Sequence, residues 1–153
     1  MIKRAAYISI LGIIIAMVGI ITLQNKYPIG PVVLSLSIIP LSGIVLARRS
    51  LKRAIPDLIF GGLDTGLLTI PALGGGALFG VAGAIAGGVI GDALTDGIAG
   101  FVEGSIAHWL RKKGIDESRE PVTTALGKMA GCLLGSGLVL CAAFILGIRP
   151  AFI

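Results

Sequence analysis

Four acidic residues stand in stretches that are otherwise apolar, small or hydroxylated. Asp64 lies in FGGLDTGLLTIPALGGG (60–76), and Asp92, Asp96 and Glu103 lie in GDALTDGIAGFVEGS (91–105). On an α-helix, at about 100° per residue, Asp96 sits about 40° and Glu103 about 20° round from Asp92. The three carboxylates share one narrow stripe, with Gly88 and Ala99 leaving room beside them. Oxygen-rich clusters of this kind suit hard or borderline divalent ions. Thr65 and Thr69 follow Asp64, and Pro71 leaves the carbonyl of Leu67 without its helical donor. Asp64, Asp92, Asp96 and Glu103 are therefore the carboxylates that could hold a metal. Asp92 and Glu103 would extend the path or carry protons, and Thr69 would add a neutral oxygen. Two bland roles compete: Asp92 and Asp96 as caps of a helix broken at Gly91 or Gly97, and Lys128 as a buried counter-ion to one acid.

The elements that position these acids must lie in a bilayer. Of 153 residues, 55% are hydrophobic and 14% charged, and mean hydropathy is +0.98. Soluble domains carry about a quarter charged residues. The expected fold is an all-α integral membrane protein, one transmembrane domain over 1–153, built as a five-span, Gly-rich helical bundle. The spans are expected at about 5–23, 31–47, 57–73, 77–110 and 122–147. The reversal between the third and fourth is placed at PALGGG (71–76), where a proline and three glycines favour a turn. Asp57 is then expected at a helix entrance, where a carboxylate suits the dipole. A carboxylate at mid-span costs about 2.5–3.5 kcal/mol, so protons, cations or water must offset each buried acid.

Positive charges set the orientation. Lys3 and Arg4, then Arg48, Arg49, Lys52 and Arg53, then Arg111, Lys112, Lys113 and Arg119 all fall on one side of a five-span chain. Lys26 and Arg149 fall on the other. The N-terminus is expected in the cytoplasm, and the loop charges suit the plasma membrane of a prokaryote. The apolar run at about Ala5–Leu23 exceeds a signal-peptide core of roughly 7–15 residues, so it is expected to be retained.

Glycines recur every four residues at Gly83, Gly87 and Gly91 and at Gly127, Gly131 and Gly135. This glycine-zipper spacing lets helix backbones approach closely in lipid. The first set lies roughly 100–180° from the acidic stripe, so the fourth span should have a packing face and a separate acidic face. The net charge of +5 carries no basic patch interleaved with aromatics, and nucleic acid is not an expected partner. Cys132 and Cys141 face opposite sides of one helix and are expected to be small apolar residues. Trp109 is expected in the headgroup belt with His108, the one histidine, beside it. No nucleophile or zinc-protease motif is present. The Asp92–Asp96–Gly97 spacing is similar to part of the CDP-alcohol phosphotransferase motif but lacks its further aspartates and Ala-Arg pair. No enzyme activity and no organic cofactor are expected.

The stretch PDLIFGGLDTGLLTIPALGGGALFG (56–80) resembles the first helix of the vacuolar iron transporter family at Asp57, Gly61, Asp64, Gly66, Leu67 and Thr69. The stretch 87–113 is similar to that family's second helix at Asp96, Gly97, Ile98 and Glu103. Ala99 and Gly100 stand where the family has Ser-Met, and RKKGIDESREP replaces its long cytoplasmic metal-binding region. The resemblance implies a homodimer in the lipid bilayer with a divalent-metal path along the helices carrying Asp64 and Asp96. The function expected is a divalent metal cation transporter, proton-coupled, with Fe²⁺ or Mn²⁺ as transported substrate. The alternative is a non-transporting membrane subunit or scaffold, whose acids pair with Lys128 or with a partner membrane subunit.

Overall fold

A computed structural model describes residues 2–115 and 120–148; the side chains of Ile2, 99–103, Ile106 and Ala107 lie outside the described set. Every element among the described residues is helical: α1 (Ile2–Gln24), α2 (Ile29–Leu36), α3 (Ile38–Leu46), α4 (Leu51–Lys112) and α5 (Pro121–Ile145). Four segments are long and apolar enough to cross a membrane: Lys3–Gln24, Ile29–Leu46, Leu51–Ile98 and Pro121–Ile145. The third is a double length, and one residue divides it.

That residue is Gly80, at φ 62° and ψ −146° inside the 62-residue α4. Only glycine occupies this region without strain. The chain reverses there, and the two arms, 51–79 and 81–112, pack against each other as a hairpin. A methyl group added at Gly75 would strike the carbonyl of Gly83. One at Gly87 would strike that of Pro71, and one at Gly91 would lie 2.7 Å from the Pro71 ring and 3.3 Å from the Leu68 carbonyl. The expected reversal at 71–76 is therefore corrected. Those residues are helical, and Gly75 serves close backbone approach rather than a turn. Pro71 is tolerated inside the first arm, as prolines are where neighbouring helices fill the gap.

Two further boundaries move. The helix carrying Asp57 begins at Leu51, after Ser50. Asp57 is thus nearly two turns inside it, not at its entrance, and its Cβ faces Gly127 of α5. The second span is two helices joined at Ser37. Pro40 has no N–H for the carbonyl of Leu36, and the ladder lapses one turn before it. Ser37 compensates locally, its N–H and hydroxyl both donating to the Leu34 carbonyl at 3.3 and 2.6 Å.

The bundle is organised round α5. Against the first arm of α4 it sets Gly131 and Gly135, where any side chain would strike the Leu58 and Gly62 carbonyls. Against α2 it sets Gly137, where an added methyl group would lie 2.7 Å from the Leu34 backbone. Small residues at these crossings replace the hydrophobic drive that lipid cannot supply. At one end, Ile44, Ala54, Val122 and Leu126 form a buried cluster covered by Tyr7, Ile8, Leu11 and Ala47. Above that cluster, Glu120 accepts from Arg4 at 3.3 Å and forms an ion pair with Arg49 at 3.2 Å. The basic ends of α1 and α3 therefore meet the start of α5 at one face of the bundle. α1 itself is apolar nearly all round and mostly exposed, as a lipid-facing helix is.

Candidate metal centre

The hairpin register decides what Asp64 faces. With Gly75 on Gly83, Pro71 on Gly87 and Leu68 on Gly91, the next turns set Asp64 beside 92–96. One carboxylate oxygen from each of Asp64, Asp92 and Asp96 falls within 4.8 Å of the others. Oxygens bound to one divalent ion at about 2.0–2.6 Å lie no more than about 5 Å apart. The three acids can therefore share an ion with little movement.

Their surroundings differ. Oδ1 of Asp64 is buried and has no hydrogen-bond partner, while Asp92 and Asp96 are exposed on the flank of the hairpin. Among the described residues no Lys, Arg or His forms an ion pair with any of the three. Lys128 is not their counter-ion: its ammonium stands 4.9 Å from the Phe60 ring centroid. An uncompensated carboxylate oxygen removed from water is costly, and a cation or a proton is what relieves it.

One expected ligand stands apart, and another lies outside the described residues. Thr69 is buried, and its hydroxyl donates to the Thr65 carbonyl at 2.6 Å. It lies about 140° round the helix from Asp64, so it belongs to the packing side of that arm. Glu103 lies on the second arm, but its side chain is outside the described residues. The residue that sequence reasoning passed over is Thr95. It is buried between the two aspartates, its hydroxyl donating to the Asp92 carbonyl at 3.1 Å. Its place between acids four apart was the available signal.

The packing and acidic sides of the second arm are adjacent rather than separate. Gly91 touches the first arm, and the next residue, Asp92, emerges at the edge of the same seam. The glycines bring the arms close enough for carboxylates from both to converge. A cavity of about 400 Å³ lies elsewhere, at the opposite end of the bundle from Glu120, lined by Lys26, Tyr27, Leu73, Leu140 and Phe144 among others. It includes no acidic residue. At the basic end, Trp109 is exposed, with the Lys113 ammonium 4.0 Å from its ring centroid, and Arg111 and Lys112 close the last turn of α4. This is the pattern of an interfacial anchor. Comparison with protein-family models, curated proteins and solved structures finds no match to this chain.

Proposed function

We propose that this chain is a divalent metal cation transporter, coupled to protons, with Asp64, Asp92 and Asp96 as the transit site. The observation that carries the reading is the convergence of three carboxylates from both arms of the hairpin, with no described cation paired to them. Three carboxylates this close repel one another, and a cation between them relieves that repulsion. A divalent ion supplies two positive charges and draws the carboxylates into its coordination shell. When it leaves, protons replace it. Metal and proton thus compete for the same oxygens, and exchange couples their movements. An all-oxygen set suits Mn²⁺, and Fe²⁺ is the substrate that the resemblance to the vacuolar iron transporters implies.

Asp92 and Asp96 are exposed beside Leu94 and Ile98, which are 59% and 53% exposed. A flank that mixes acids and large apolar groups is poorly suited to lipid. Pairing with a second copy would cover it, in keeping with the resemblance to the vacuolar iron transporters. The positive charges at the Glu120 end orient that end to the cytoplasm.

Uptake of Fe²⁺, Mn²⁺ and Co²⁺ into proteoliposomes, with a pH dye inside, tests the proposal. The wild type should take up metal and move protons, and Asp64→Asn and Asp96→Asn should each abolish both. Folded protein that takes up none of the three metals would overturn it and favour a non-transporting subunit.

A further inference from the structure

At the basic end of the bundle a second pocket, of about 240 Å³, is lined by Lys3, Arg4, Tyr7, Ala47, Arg49 and Val122. Three cations line it, and among the described residues the acid paired with them is Glu120, shared between Arg4 and Arg49. Lys3 forms no ion pair among the described residues. Nε of Arg49 is buried and donates to nothing among the described residues, while its Nη2 pairs with Glu120 at 3.2 Å. A buried donor without an acceptor costs about 1–3 kcal/mol, more on a charged group. Arg4 and Arg49 both pair with Glu120, which brings their guanidinium groups to one side of the pocket.

We propose that this pocket binds a phosphate group, carried by an anionic phospholipid of the membrane leaflet it faces. Phosphate oxygens match the forked donors of arginine and the point charge of lysine. Basic pockets between spans at the cytoplasmic surface take anionic headgroups in this way. The volume lies below the roughly 300–1,000 Å³ of sites that enclose whole ligands, which fits a headgroup whose tails stay in the bilayer. Tyr7, Ala47 and Val122 supply the apolar wall against which the glycerol end would rest. A bound headgroup would tie α1, the α3–α4 turn and the start of α5 together, adding to what Glu120 does alone.

Native mass spectrometry of the full chain in detergent tests this, titrating phosphatidylglycerol, phosphatidylcholine and inorganic phosphate separately. One saturable phosphatidylglycerol should bind in preference to phosphatidylcholine. Lys3→Gln, which leaves both bridges to Glu120 intact, should weaken it about fivefold, and Arg49→Gln by more. Lys52→Gln, outside the pocket, should change nothing. If inorganic phosphate displaces the lipid at millimolar concentration and Lys3→Gln weakens it equally, the phosphate site stands, with a soluble source. Equal binding of both lipids, or a Lys3→Gln protein that retains phosphatidylglycerol like the wild type, would overturn the proposal.

Discussion

Glu120 and Asp64 are both carboxylates in a bundle otherwise poor in polar groups, and the protein treats them oppositely. Glu120 caps α5: it accepts from the Thr123 N–H at 3.0 Å and hydroxyl at 2.9 Å and from Arg4, and it forms an ion pair with Arg49. Burial pushes its pKa up, but the two Thr123 hydrogen bonds and then the Arg49 and Arg4 charges outweigh that and hold it below its ordinary value. Asp64 has a buried oxygen with no partner and two further acids for neighbours. One end of the molecule satisfies its carboxylate within the chain. The middle of the hairpin gives its carboxylates no cationic partner among the described residues. A satisfied acid holds structure, whereas an unsatisfied group of acids is available for exchange.

The largest test of that contrast is loss of transport. Asp64→Asn should abolish metal uptake and the protection Mn²⁺ gives against thermal unfolding, while Glu120→Gln should keep uptake per folded molecule within about twofold of wild type. Equal losses in both would erase the distinction.

Next, the contrast requires the arms to stay close. Gly91→Leu alters no carboxylate but must push against the Pro71 ring and Leu68. Mn²⁺ affinity, read by calorimetry, should fall about ten- to a hundredfold, as when the support of a metal ligand is lost. An unchanged affinity would mean that the acids do not act as one site.

Removing the satisfied acid should cost stability instead. Glu120→Gln weakens a cap and two partly exposed bridges, together about 1–2 kcal/mol, seen as a lower melting temperature in detergent. Because the folded pKa of Glu120 is lowered, its contribution is fully present above its ordinary value of about 4.5. It is lost as pH falls through the folded value. The wild-type and Glu120→Gln melting temperatures should therefore differ at neutral pH and converge on acidification below that value. A constant gap would show that the charge of Glu120 is not what stabilises this end.

The smallest effect is expected at Gly88, where an added methyl meets nothing within 4 Å. Gly88→Ala should leave metal affinity alone and raise helix stability by no more than about 1 kcal/mol. A loss of affinity there would widen the site beyond the three acids.

Much of this was legible in the residues themselves. Low charge and long apolar runs announce spans because unpaired backbone and isolated charge are expensive in lipid. The helical period alone places Asp92 and Asp96 on one stripe, and glycines every fourth residue mark where helices cross. The helix ends were less legible. The N-terminal extension of α4 to Leu51 runs through Pro56 and the basic residues Lys52 and Arg53, which read locally as a loop. The lapse at Ser37 follows from Pro40, a signal present but outweighed by the continuous apolar run.

What the sequence determined by itself was the chemistry: which residues carry charge into the membrane, and which face of their helix each occupies. Only the tertiary structure decided what Asp64 meets. A reversal within 71–76 would set Asp64 opposite Gly83, and the reversal at Gly80 sets it beside Asp92 and Asp96. Four glycines lie between 74 and 80, and each can turn a chain. The choice among them rests on which register lets Gly75, Gly83, Gly87 and Gly91 nest against the opposite backbone. That is a property of two helices packed together, and neither helix carries it alone.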